Sequence, residues 1–155
     1  MKLKTPKVAN MDEINLAIIR HLWNGRKPYA EIAKDLGMTT NTVRNRVNKL
    51  LKAGVLQIIG LVDPKAVSGH YSAFMAFKAV PSKVAQVLEQ IGNMKGVVMA
   101  SCVSGRYDIM AVMFFNQEFS HERFIFEELP KVDGLLAVET FFCERGVHWQ
   151  LRYVL

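Results

Sequence analysis

The chain is short of several things, and each shortage excludes something. Only two cysteines, Cys102 and Cys143, occur in 155 residues. Neither has Cys-x-x-Cys or Cys/His spacing, which argues against a disulfide framework and a structural zinc site and predicts reduced, buried thiols in a cytoplasmic protein. No apolar run approaches the ~20 residues that span a bilayer, so no membrane segment is predicted. The basic stretch Met1–Lys7 is followed by no apolar signal core and is expected to be a disordered arm. The four histidines (His21, His70, His121 and His148) are scattered, with neither metal-ligand spacing nor a nucleophile beside them. No catalytic residue, metal or cofactor is therefore expected. The most telling shortage is of one charge sign: no aspartate or glutamate lies between Met38 and Val62.

That acid-free stretch belongs to a strongly biased half. Residues 1–53 hold eleven Lys/Arg against four Asp/Glu, whereas residues 54–155 hold nine against ten. A chain that is basic only for solubility has no reason to segregate its charge in this way. Within the basic half, Ile32, Ala33 and Leu36 mark the inner face of one short helix. Val43, Val47, Leu50 and Leu51 mark that of a second. Gly37 stands where the first must stop and turn, and Thr39 can cap the second. What is left facing outward is hydrogen-bonding or cationic: Thr40, Asn41, Arg44, Asn45, Asn48, Lys49 and Lys52. Two helices set at an angle by a glycine turn, the second with such a face, form the helix-turn-helix that enters the DNA major groove.

A preceding helix is predicted from about Asp12, its N-cap, to Asn24, with Ile14, Ile18 and Leu22 as its buried stripe. Leu16, Ile19 and Trp23 form a second apolar side that predicts a partner. Gly25 ends this helix, Pro28 starts the next, and Gly54 closes the third. Val55–Val62 is β-branched and apolar and breaks at Asp63-Pro64, so it reads as a strand forming a wing or a hinge. The predicted domains are thus 1–54, a linker over 55–69, and 70–155.

The last of these reads as strands over 70–80, 96–103, 107–115 and 135–143. One helix is capped by Ser82, with Val84, Val87, Leu88 and Ile91 inward. Another is capped by Ser120, with Phe119 and Phe124 as its hydrophobic staple. The tail alternates Val147, Trp149, Leu151 and Tyr153 with polar residues, and either extends the last strand past Gly146 or folds back. Ile91–Ala100 echoes Leu129–Val138: helix end, turn glycine (Gly96, Gly134), strand. Two such halves give βαββαβ, the ferredoxin-like α+β fold. Both faces of strands 70–80 and 107–115 are apolar, and two helices cover only one. The other predicts sheet-on-sheet packing in a twofold dimer.

Several motifs, in one order along nearly the whole chain, resemble the Lrp/AsnC (feast/famine) regulators. They are Met11-Asp12-Glu13-Ile14, Gly25-Arg26, Glu31-Ile32-Ala33, Leu36-Gly37, Thr42–Val47, Gly54-Val55-Leu56, Val62-Asp63-Pro64 and Gly105-Arg106-Tyr107-Asp108. The resemblance implies a winged helix-turn-helix joined to an effector-sensing domain of the RAM type, dimers that assemble further, and amino-acid effectors. Asn15 stands where relatives usually carry an acid, and Arg106 where many carry an acid or a small polar residue. Siroheme decarboxylases share this architecture, but such an enzyme has no use for a basic, acid-free helix. An architectural DNA compactor without an effector is the nearer alternative.

Readout of double-stranded DNA is assigned to Thr40, Asn41, Thr42, Arg44 and Asn45. Asn suits adenine N6/N7 and Arg suits guanine O6/N7. Thr42 serves equally as polar filler of the helix start. Arg46, Lys49 and Lys52, with Arg26 and Lys27, look like phosphate binders, though Arg46 also fits a structural salt bridge. For a small-molecule effector, the turn Ser104-Gly105 offers backbone N–H groups to a carboxylate. Asp108 offers a partner for an ammonium, beside Tyr107, with Ser101 and Thr140 added as being on neighbouring strands near the same end. The alternative is an ordinary hairpin turn in which Asp108 caps its own backbone.

Overall fold

The computed structural model describes residues 11–23, 25–148 and 150–152, and the chain divides into two compact units, Met1–Ile59 and Gly60–Leu155. The predicted arm Met1–Lys7, Asn24, Trp149 and Tyr153 lie outside the described residues.

The first unit holds three helices: α1 (Glu13–His21), α2 (Tyr29–Asp35) and α3 (Thr40–Lys52). Asp12 caps α1 by accepting from the Asn15 amide at 2.7 Å. Pro28 is the N-cap of α2. Thr39 caps α3, its hydroxyl accepting from the Thr42 amide at 3.2 Å. Gly37 has φ +63°, the left-handed turn conformation that glycine adopts without strain. Ile18, Leu22, Ile32, Ala33, Val43 and Val47 are the core that holds the three helices. Ile14 departs from the predicted stripe. It is 39 % exposed, because the core is filled from α2 and α3 at the positions of Ile18 and Leu22. Residues 56–60 carry no ladder, and the strand β1 is confined to Leu61–Val62. Among the described residues the helical unit has no wing hairpin.

In the second unit, β1 pairs antiparallel with β6 (Leu151–Arg152), so the tail folds back. The main sheet contains β2 (Tyr71–Ala79), β3 (Val97–Cys102), β4 (Ile109–Phe115) and β5 (Leu135–Phe142) in the order β3-β4-β2-β5, all antiparallel. This is the predicted α+β architecture. α4 (Val84–Gly92) follows a 3₁₀ turn at Pro81–Lys83, and its N-cap is Lys83, not Ser82. The second helix is irregular. α5 (His121–Arg123) passes into a π turn at Phe124–Glu128 and a 3₁₀ turn at Leu129–Lys131, where Pro130 cannot donate to a regular helix. Ser120 caps it, and the Phe119 and Phe124 rings meet edge to face at 6.1 Å. Gly96 and Gly134, the turn glycines of the repeat, have φ +80° and +92°. Both sit where a side chain would collide: a Cβ on Gly96 would lie 2.6 Å from the Phe114 carbonyl oxygen.

One face of the sheet packs Met75, Phe77, Ile109, Met113 and Phe115 against Val87, Ile91 and Phe124. The opposite face is covered in part by the chain itself, since Val62 and Leu151 of the small ribbon pack on Val112 and Phe114. Phe74, Met99, Met110 and Phe141 on that face stay exposed. Neither cysteine is buried, against expectation: Cys102 is exposed at the end of an edge strand, and Cys143, half-exposed, follows the other edge.

Candidate nucleic-acid interface and effector turn

The spacing of Val43, Val47 and Leu50 anchors α3 and turns the rest of it outward. Asn41, Thr42, Arg44, Asn45, Asn48, Lys49 and Lys52 are all exposed, while Thr40 is half-buried. Arg44 Nη1 donates to Asn41 Oδ1 at 2.9 Å, so these two readout candidates form one exposed pair a turn apart. Thr42 Oγ1 lies 2.8 Å from Thr39 Oγ1, inside the cap. Lys49 and Lys52, on the last turn, are basic without an acid on the helix.

Two predicted phosphate binders are engaged within the unit. Arg46 Nη1 donates to Asp12 Oδ2 at 2.7 Å and to Asn15 Oδ1 at 3.0 Å, tying α3 to the cap of α1. The hydrogen bond from Arg46, then that from the Asn15 backbone, holds the Asp12 carboxyl below the ordinary aspartate range. Asn15, accepting from Arg46 beside Asp12, thereby completes a clamp. Lys27 Nζ bonds both His21 Nδ1 and Asp35, and the hydrogen bond to Asp35 lowers the Asp35 pKa. Arg26 is exposed. Asp12 and Asn15 were not legible as partners of Arg46, because contacts over 34 and 31 positions leave no local pattern.

At the predicted effector turn, Gly105 has φ +147° and open space where a Cβ would stand. Ser104, Gly105 and Arg106 are exposed, and the Arg106 guanidinium lies 5.4 Å from the Tyr107 ring centre. The Tyr107 hydroxyl donates to Glu139 of β5, which raises the tyrosine pKa. Asp108 is engaged on both oxygens: Oδ2 accepts from the Ala79 amide at 3.0 Å and Oδ1 from Lys78 Nζ at 2.9 Å. The Ala79 amide first, then Lys78, depresses its pKa. Both bonds reach β2 rather than the turn's own backbone, so Asp108 anchors the turn to the neighbouring strand. Ser101 and Thr140 are not brought together. They lie on β3 and β5, the two edges of the sheet with β4 and β2 between them, and not on neighbouring strands. Thr140 instead meets His121 Nε2 at 3.0 Å.

The AsnC-type helix-turn-helix domain matches residues 11–51, the segment that forms α1 to α3. An uncharacterised HTH-type transcriptional regulator of Pyrococcus abyssi is 36 % identical over 141 residues, covering 90 % of this chain and 89 % of its own length. The chain belongs to the Lrp/AsnC family of transcriptional regulators. In fold it is similar to E. coli AsnC (TM-score 0.68, 21 % identity, 87 % of this chain and 93 % of that one). It is also similar to the Neisseria meningitidis regulator NMB0573 solved with L-Met (TM-score 0.69, 20 % identity, 88 % and 91 %). These Lrp/AsnC relatives are transcriptional regulators, not enzymes. Among the described residues no helix is long and apolar enough to cross a membrane.

Proposed function

We propose that this Lrp/AsnC protein acts as a homodimer or larger assembly that binds specific DNA sites through α3 and responds to a small molecule, an amino acid. The exposed Asn41–Arg44 pair on an acid-free helix carries this reading. Asn41, Arg44 and Asn45 meet base edges, Thr40 and Thr42 shape the helix start, and Lys49, Lys52 and Arg26 meet phosphates. Arg46 sets the angle of α3 through Asp12, and Lys27 acts in the same structural way. The effector sits at the Ser104–Gly105 backbone beside Tyr107, with Asp108 holding the turn to β2. An amino-acid ligand draws support from the L-Met complex of the Neisseria relative.

The test is selection of bound duplexes from a random library, with and without each amino acid. The expected outcome is a site of twofold symmetry with half-sites about 34 Å apart or a multiple of that, and a ligand that shifts occupancy or complex size. Binding that favours no sequence, varies only with salt and ignores every amino acid would make the protein a DNA compactor instead.

A further inference from the structure

Six cationic side chains of the second unit are engaged. Lys78, Lys83, Arg123 and Lys131 are ion-paired, and Lys95 and Arg106 lie over the rings of Phe119 and Tyr107. Among the side chains described, Lys65 and Arg145 have no such partner, and both line one cavity of about 400 Å³. That volume lies in the range of small-molecule sites. Its wall is built by the 3₁₀ turn Pro64–Ala66, the start of β2 and the chain just after β5. Pro64 and Ser72 are buried, and Cys143 is held there by donating its amide to the Ser72 carbonyl oxygen at 2.9 Å. The one carboxylate on the rim, Asp63, accepts from the Lys65 amide at 2.9 Å and so caps the turn.

We propose that this cavity binds a small anion, an organic phosphate or carboxylate, whose head group sits between Lys65 and Arg145 and whose body rests on Pro64 and Tyr71. Two cations lining one walled cavity without an ion-pair partner suit such a head group. The site is separate from the Ser104–Asp108 turn. That turn is fixed at Lys78 and Ala79, six residues or more along β2 from Ser72, a distance of about 20 Å at strand rise.

The test is calorimetric titration of the full chain with inorganic phosphate and, separately, with propionate, at constant ionic strength set by chloride. Saturable binding of at least one is expected, with the stronger arm naming the head group. The double variant Lys65→Gln/Arg145→Gln should bind it at least ten-fold more weakly. Arg44→Gln/Lys49→Gln, which strips the basic face of α3, should leave it within three-fold. Both cavity cations are exposed, and unchanged near-ultraviolet circular dichroism will show that the fold persists; Arg145→Gln alone, outside the 3₁₀ turn, should give a partial loss. Absence of saturable binding in the wild type, or binding retained in the cavity double variant, overturns the proposal.

Discussion

Arg46 shows how a residue on the helix proposed to read DNA can be structural. It lies on α3 between the exposed Asn45 and the buried Val47, and its half-buried guanidinium reaches Asp12 and Asn15. Because the folded Asp12 pKa is depressed, the pair contributes stability that is complete above the unfolded aspartate value of about 3.9 and is lost as pH falls through the folded value. Denaturant titrations at stepped pH should therefore show a fall in stability beginning near pH 4 and continuing below it. Arg46→Ala should be less stable at pH 7 and show a shallower acid loss, and Asp12→Asn should add little to it, since both remove one interaction. Additive losses in the double variant would mean that the pair is not coupled.

At the scale of elements, turn glycines divide by what surrounds them. Gly37 needs only its left-handed backbone, with no atom within 4 Å of the place a Cβ would take, so Gly37→Ala should cost about 1–2 kcal/mol. Gly96 combines positive φ with contacts at 2.6 Å and 2.7 Å to Phe114 and Phe119, so Gly96→Ala should cost more, about 3 kcal/mol or beyond. Urea denaturation of the two variants decides the order, and equal losses would contradict the packing at β3. Both glycines were readable in the sequence because each ends a periodic apolar stretch. The helix-turn-helix and the βαββαβ order were readable for the same reason, period 3.6 against period 2. Val55–Val62 was not. Its β-branched run looks like a strand, but a ladder needs a partner, and only Leu61–Val62 meets one, at the far end of the chain. The engaged state of Asp108 was equally hidden, since Lys78 and Ala79 lie thirty and twenty-nine positions away.

At the scale of the molecule, the second unit carries the apolar surface that calls for a partner. The β1–β6 ribbon covers Val112 and Phe114 but leaves Phe74, Met99, Met110 and Phe141 exposed on the same face. A fragment cut at Gly60, which keeps β1 with β6, should sediment as a dimer or larger, and Phe141→Lys should weaken that assembly. A folded monomer at micromolar concentration would remove the sheet-on-sheet argument. The central claim, however, is that α3 reads DNA, and one comparison tests it most directly. Footprints of wild type and Arg44→Ala on the selected site, at matched salt, should differ by ten-fold or more in specific affinity, given about 1–3 kcal/mol for a good base contact. The fold is expected to be unchanged, because Arg44 is exposed and bonds only Asn41 among the described residues. Identical footprints and affinities for the two proteins would contradict the account.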